Sequence, residues 1–175
     1  MRPNIYAARG GDPAALNRRS DRRDDPAWIA ARAASADARV LPYWRRRHWF
    51  DAKGDVGFVN GDRAAGLLDG GRPMAFLGED ADGAWFAVDL SADDHPEPHV
   101  GDSGAWDDLR LRGATLPWRD AARVAYARAV FEWRAKWRFC PHTGEALEPR
   151  PSGTALYPSS DREGRSYFPR IDPAV

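Results

Sequence analysis

Residues 72–78 read RPMAFLG, residues 84–90 read AWFAVDL, and the five residues between them read EDADG. The two apolar runs have the length and the aliphatic and aromatic content of β-strands. The connecting segment is acidic and ends in Gly83, which favours a reversal of the chain. This stretch therefore predicts an antiparallel hairpin, and it is the clearest indication of a β-sheet in the sequence.

A long helix is predicted downstream of the hairpin, over Pro117–Phe139. Its apolar residues recur at helical spacing: Ala122, Tyr126, Ala129, Val130, Trp133 and Trp137. Four arginines form its expected polar face: Arg119, Arg123, Arg134 and Arg138. A shorter helix is predicted to begin at Asp25 and Pro26, because aspartate is a common N-cap and proline is tolerated in the first turn.

Shorter strands are predicted on the N-terminal side of the hairpin. Residues 39–44 (RVLPYW) have strand character, and Pro42, which lacks an amide hydrogen, favours an edge position. Residues 55–59 (DVGFV) indicate another strand, and Asn60-Gly61 is typical of a turn. These elements predict an α+β fold, in which a small mixed sheet packs helices and is followed by a long helix and a β tail.

The composition indicates a globular chain of the reducing cytoplasm. The 175 residues, 43% of them apolar, suffice for one sizeable core. No run of about 18 apolar residues is present, so we expect no transmembrane helix, and residues 1–12 lack the apolar core of a signal peptide. Cys140 is the single cysteine, which excludes an internal disulfide and suits a cytoplasmic location.

The formal net charge of zero conceals a segregation of charge along the chain. Residues 1–50 carry +6, residues 51–108 carry −11 and residues 109–175 carry +5. Two interpretations stay open: solvated faces of an arginine-rich protein, or pairing of the basic flanks with the acidic middle, within the fold or across a dimer.

Motifs for nucleophilic catalysis, phosphate binding or calcium binding are absent from the sequence. The four histidines (His48, His95, His99 and His142) are expected to have surface or structural roles. Residues 44–50 (WRRRHWF) combine arginines with aromatic rings, a pattern that suits single-stranded nucleic acid. The alternative is a strand with its Trp and Phe in the core and its arginines outside.

Residues 125–129 (AYARA), Trp133 and residues 138–140 (RFC) resemble the helix that enters the zinc ribbon of NADH pyrophosphatases of the Nudix superfamily. Residues 167–175 (YFPRIDPAV) resemble the segment that follows the ribbon in that family. Upstream segments, among them Asp24–Trp28 and Asp108–Arg110, resemble its N-terminal Nudix-like domain. The resemblance implies a rudimentary Nudix-like domain over 1–115, a connecting helix over 116–139 and a ribbon segment over 140–175.

The ribbon departs from the family pattern at its metal ligands. A structural zinc site needs about four Cys or His ligands. Cys140 matches the first position, but Thr143, Ser160 and Glu163 stand at the other three, and His142 is one residue short of the second. We expect no zinc and a ribbon held by packing, with a Cys140–His142–Glu163 site as the alternative. The packing residues would be Leu147, Leu156, Tyr157, Tyr167 and Phe168.

The catalytic motif of the family is also missing. Nudix hydrolysis uses Mg²⁺ or Mn²⁺ held by glutamates of an Arg-Glu-x-x-Glu-Glu helix. This chain has six glutamates, no two of which are adjacent. The resemblance therefore implies that this chain is the inactive N-terminal portion of a longer NAD(H) diphosphatase and ends before the catalytic domain. We expect the chain to bind no cofactor itself, because the Mg²⁺ or Mn²⁺ would bind to the catalytic domain.

The resemblance also implies what this portion contributes. Arg110 and Phe168 fall where the family places a substrate-contacting arginine and an aromatic residue that touches the ligand, so we expect them to contact NAD(H). Family members are dimers, which predicts a homodimer. The parent would hydrolyse NADH to NMNH and AMP, and NAD-capped RNA is a further expected substrate. The alternative is a stand-alone interaction module without hydrolase activity, for which RNA is a candidate partner.

Overall fold

The computed structural model of this chain describes residues 16–101, 103–161 and 164–169. It confirms the α+β class. The elements run in the order α1 (Pro26–Ala33), β1 (Ala38–Trp44), β2 (Arg47–Asp51), β3 (Val59–Asn60), α2 (Gly61–Asp69), β4 (Met74–Asp80), β5 (Gly83–Asp89), α3 (Glu97–Val100), β6 (Gly104–Asp107), α4 (Leu109–Arg112), α5 (Trp118–Lys136), β7 (Leu147–Pro149) and β8 (Leu156–Pro158).

Six strands form one mixed sheet in the order β4-β5-β1-β2-β6, and β3 also pairs with β1. The predicted hairpin is confirmed as β4 and β5, although its turn contains only Ala81 and Asp82. The β1–β5 pair is parallel, whereas the other pairs of this sheet are antiparallel. Helix α1 begins as predicted, because the Asp25 carboxylate accepts the amide hydrogens of Ala27 (2.9 Å) and Trp28 (3.1 Å).

The sheet separates two apolar layers, because successive side chains of a strand point to opposite faces. Helix α5 covers one face, where its Val124 and Val130 are fully buried against β1, β4 and β5. Helices α1 and α2 supply Ile29 and Leu67 to the layer on the other face. The sequence analysis missed α2: Asn60-Gly61, predicted as a turn, marks its beginning.

Pro42 does not lie in an edge strand, so that prediction is wrong. Strand β1 is central, with β5 on one side and both β2 and β3 on the other. The Tyr43 carbonyl accepts the amide hydrogen of Leu90, so the backbone polar groups of the preceding Pro42 face the β2 and β3 side. The pairs on that side involve residues 39–40 and 43–44, and Pro42 falls in the gap where no amide hydrogen is required.

Helix α5 confirms the long predicted helix, and Tyr126 and Val130 of the predicted apolar stripe are buried as expected, but the buried face is wider than that stripe. Val124 and Phe131, which lie off the predicted stripe, are buried, whereas Trp137 is 41% exposed. Arg123 was expected on the polar face and is only 7% exposed, because it is paired with buried Asp80.

The tail attaches to the edge strand β4. The amide of Phe76 donates to the Ser152 carbonyl (2.8 Å), and Arg134 of α5 donates to the Met74 carbonyl (2.9 Å). Strands β7 and β8 form a separate two-stranded sheet, on which Tyr167 pairs with Leu156. Among the described residues, no helix has the length and apolar character needed to span a bilayer.

Candidate functional site

Arg110 lies on the exposed side of the short helix α4. The Asp108 carboxylate caps this helix by accepting the Arg110 amide hydrogen (2.9 Å), and it also accepts the Arg110 guanidinium (2.8 Å). The Arg110 side chain remains 76% exposed. It therefore pairs locally with an acidic neighbour and at the same time presents N–H donors to solvent.

Arg110 is the end of a chain of alternating charges that joins three parts of the fold. Asp108 also accepts Arg128 Nη1 of α5 (2.7 Å), and Arg128 Nε donates to Glu132 (2.6 Å). Glu132 in turn pairs with Arg46 of the β1–β2 turn (3.3 Å). We call these five residues the ion-pair chain. Its middle members are 13–23% exposed and its terminal arginines 64% and 76%, so the two ends are the accessible cations.

The arginines of the ion-pair chain affect the pKa values of two groups, Asp108 and His48. Hydrogen bonds from Arg110 and then from Arg128 hold the pKa of Asp108 well below its usual range, so this carboxylate stays ionised. His48 is 1% exposed, and burial first, then the charge of Arg128, lowers its pKa to about 3. His48 is therefore a neutral structural side chain.

The turn that carries Arg46 has an uncommon backbone. Arg45 and Arg46 both have positive φ angles (45° and 71°), a conformation that costs roughly 1–2 kcal/mol per residue outside glycine. Ser91 Oγ accepts the Arg45 amide hydrogen (2.8 Å), and Asp94 accepts its guanidinium (2.6 Å). This two-residue turn displays consecutive arginines at the end of a hairpin.

The WRRRHWF strip follows the structural alternative considered above. His48, Trp49 and Phe50 are buried, whereas the three arginines are exposed. A cleft of about 290 Å³ lies beside the turn, and its lining combines the cations of Arg45, Arg46 and Lys136 with the carboxylates of Asp89 and Glu132. This mixed charge does not single out an anionic ligand.

Phe168 lies in a different part of the structure from Arg110. Its side chain is 63% exposed, so the expectation that it packs in the ribbon is wrong. The ring of the preceding Tyr167 lies 5.9 Å from that of Trp137, at the C-terminal end of α5. Arg110 connects through Asp108 to Arg128, nine residues earlier on that helix, which corresponds to about 13 Å along its axis. The described contacts do not bring the two predicted ligand residues together.

The structure describes two of the three residues of the alternative ribbon metal site, Cys140 and His142. Cys140 is buried, its Sγ lies 3.2 Å from the Tyr167 hydroxyl, and hydrogen bonds with Thr143 and then Tyr167 lower the pKa of the thiol to about 7. His142 is exposed. Glu163 lies outside the described residues.

The sequence analysis missed the ion-pair chain as a unit. Two of its four pairs are local: Arg128 and Glu132 stand four residues apart on a predicted helix, the spacing of a helical ion pair, and Asp108 and Arg110 stand two residues apart. The other two pairs join residues 20 and 86 positions apart, which the sequence alone does not connect.

Two comparisons with known proteins place this architecture in a family. The NAD-capped RNA hydrolase of Schizosaccharomyces pombe is 28% identical to this chain over 107 residues. The aligned region covers 51% of this chain and 28% of the relative, so the chain matches less than a third of the relative's length. Residues 37–133 match the model of the NADH pyrophosphatase-like rudimentary NUDIX domain, and they contain the main sheet and most of α5. This chain belongs to the family of NADH pyrophosphatase-like rudimentary NUDIX domains.

Proposed function

We propose that this chain is the non-catalytic N-terminal portion of an NAD(H) diphosphatase. The observation that carries the proposal is the family match over residues 37–133, and the similarity to an NAD-capped RNA hydrolase supports it. The parent enzyme cleaves the diphosphate of NADH to give NMNH and AMP, and NAD-capped RNA is a second substrate.

The carboxylates of this chain support a non-catalytic role. Diphosphate hydrolysis in this superfamily needs carboxylates clustered around Mg²⁺ or Mn²⁺. No two of the six glutamates are adjacent in the sequence, and no group of three acidic, His or Cys side chains converges within the described residues. Hydrolysis and its metal therefore belong to a catalytic domain, and this chain supplies part of the substrate wall.

Two exposed side chains suit the two chemical parts of the substrate. The Arg110 guanidinium offers paired donors to a diphosphate oxygen, and the exposed Phe168 ring offers a face for a nicotinamide or adenine. Because Arg110 lies on α4 and Phe168 lies in the tail, near the C-terminal end of α5, each is proposed to contact a separate part of the dinucleotide.

The proposal is tested by activity and by binding with the same purified chain. We expect no NADH hydrolysis with Mg²⁺ or Mn²⁺, and measurable turnover would refute the non-catalytic role. Titration of ¹⁵N-labelled chain with NAD⁺ should shift the amide resonances of residues 108–112, and Arg110→Ala should abolish these shifts. Arg22→Ala is the control, since it removes another exposed arginine, which pairs with Asp21. Unchanged shifts in Arg110→Ala would contradict the assignment.

A homodimer is part of the same proposal. Two exposed aromatic side chains lie at and just after the C-terminal end of α5: Trp137 (41%) and Phe139 (59%). Exposed apolar groups of this size favour an interface, and most homodimers are twofold symmetric. Sedimentation equilibrium should give twice the 19.5 kDa chain mass, and Phe139→Ser should shift the equilibrium to monomer. A monomer at high concentration of wild type would contradict this proposal.

RNA binding by a stand-alone module is the second candidate, and the exposed arginines of residues 45–47 favour it. Under this alternative a short single-stranded RNA would bind the isolated chain with strong salt dependence, and Arg46→Gln would weaken it. Fluorescence anisotropy with capped and uncapped RNA distinguishes the candidates, because a substrate wall for NAD(H) needs the cap.

A further inference from the structure

The residues of the tail do not fit the zinc ion that a ribbon of this family implies. Of the four ligand positions, Cys140 retains a thiol, Thr143 and Ser160 offer neutral hydroxyls, which are not usual zinc ligands, and the fourth, Glu163, lies outside the described residues. Within the described residues, no three His, Cys, Asp or Glu side chains are grouped as a metal site requires. The Cys140 thiol contacts the Tyr167 hydroxyl instead.

The two loops that a metal would join are connected by another group. Thr143 lies in the first loop, which the Gly144 amide closes by donating to the Cys140 carbonyl (2.8 Å). Ser159 and Ser160 lie in the second loop, after β8. Both loops direct donors at the carboxylate of Glu145.

The Glu145 carboxylate accepts four hydrogen bonds. Oε1 accepts the Ser160 amide hydrogen (3.2 Å) and the Ser159 hydroxyl (3.3 Å). Oε2 accepts the Ser160 hydroxyl (2.6 Å) and the Thr143 hydroxyl (3.2 Å). A carboxylate accepts bonds at both oxygens, so one side chain can hold donors from two loops at once.

We propose that the Glu145 carboxylate replaces the metal ion as the cross-link between the two loops of the tail. The chemistry is inverted: a zinc site places a cation among anionic thiolates, whereas here an anion lies among neutral N–H and O–H donors. Substitution of ligand thiols by Thr143 and Ser160 then removes the metal without opening the tail, because the same positions now supply the donors. The inference does not depend on the proposed function, since it concerns only the integrity of the tail.

The test is hydrogen exchange of the intact chain followed by mass spectrometry. Hydrogen bonds to a charged group are stronger than neutral ones, so Glu145→Gln should accelerate exchange in peptides covering 140–145 and 156–161 by about tenfold or more. Peptides of β4 and β5 should exchange as in wild type. A zinc chelator should leave the wild-type tail unchanged. The control is Glu97→Gln, which neutralises an exposed glutamate of α3.

Ser160→Ala keeps the test decisive if Glu145→Gln unfolds the whole chain. It removes one donor and leaves the carboxylate, so a smaller acceleration confined to the same peptides is expected. Hydrogen exchange at the wild-type rate in the tail peptides of both variants would overturn the proposal. Stoichiometric zinc in the purified protein, or a tail that opens on chelation, would also overturn it.

Discussion

Arg123→Met provides the sharpest test of how this fold is held together. Arg123 pairs with Asp80 at the end of β4 and with Asp120 in the first turn of α5 (2.9 Å). Its guanidinium carbon lies 4.0 Å from the ring centroid of Trp85. The side chains of Arg123 and Asp80 are only 8% and 5% exposed. Methionine retains most of the apolar volume but leaves the Asp80 carboxylate without its cation.

The size of the expected loss in the free energy of unfolding depends on the Asp80 carboxylate, which stays buried in the variant. Removing one partner of a buried ion pair costs about 3–5 kcal/mol. Asp80 keeps two donors, the Trp85 indole (3.1 Å) and the Asp82 amide (2.9 Å), which favours the lower end of that range. We therefore expect Arg123→Met to lower the free energy of unfolding by about 3 kcal/mol. The double variant with Asp80→Asn should recover part of this loss, because no buried charge remains.

Equilibrium unfolding in urea measures these free energies, with the fluorescence of the eight tryptophans as the signal. The control is Arg119→Met on the same helix, where the exposed arginine should contribute no more than about 0.5 kcal/mol. The reasoning fails if Arg123→Met lies within about 1 kcal/mol of wild type. It also fails if the double variant loses the full sum of the two single losses, since coupled residues do not behave additively.

Three further predictions concern single residues. His48 has a pKa of about 3 in the folded chain against 6.5 for the free side chain, so the unfolded chain takes up a proton first as the pH falls. The free energy of unfolding therefore decreases as the pH drops between these values, by at most about 1.4 kcal/mol per pH unit. His48→Phe should reduce this pH dependence in urea titrations, and an unchanged pH dependence would contradict the assignment. Gly153 has a φ of 70°, and a Cβ at this position would collide with the Met74 carbonyl. Gly153→Ala should therefore lower the urea concentration at the unfolding midpoint. The control is Gly66→Ala on α2, which should not lower it, because a Cβ there would meet no other atom within 4 Å. In the proposed parent diphosphatase, Arg110→Ala should raise KM for NADH at an unchanged melting temperature; an unchanged KM with a lowered melting temperature would mean that Arg110 acts only through its ion pair with Asp108.

The sequence predicts those elements whose signals are local. The β4–β5 hairpin follows from two apolar runs that lie next to each other in the chain, and α1 follows from the capping by Asp25. The central position of β1 cannot be predicted in the same way, because it depends on pairing with β5, more than forty residues away. Pro42 is tolerated there only because β2 and β3 leave a gap opposite it.

The orientation of α5 depends on partners that are distant in the sequence. An arginine is assigned to the polar face of a helix unless an acidic partner is known to be buried with it. Asp80 stands 43 residues before Arg123, in a strand whose end reaches the first turns of the helix. The buried face then includes Val124 and Phe131 beside Tyr126 and Val130 of the predicted stripe, whereas the last member of that stripe, Trp137, is exposed.

The same long-range pairing decides between the two interpretations of the segregated charge. Basic residues of both flanks pair with carboxylates of the acidic middle inside one chain, as in Arg32–Glu79 (2.6 Å), Arg45–Asp94 (2.6 Å), Arg112–Asp107 (2.7 Å) and Arg128–Asp108 (2.7 Å). Much of the segregated charge is thus neutralised within the fold, without a dimer. A ligand meets the side chains at the ends of these networks, and the most exposed cations of the ion-pair chain are Arg46 and Arg110. The sequence marked Arg110 through its family resemblance, whereas Arg46 becomes its counterpart only after β1, β2 and α5 have folded together.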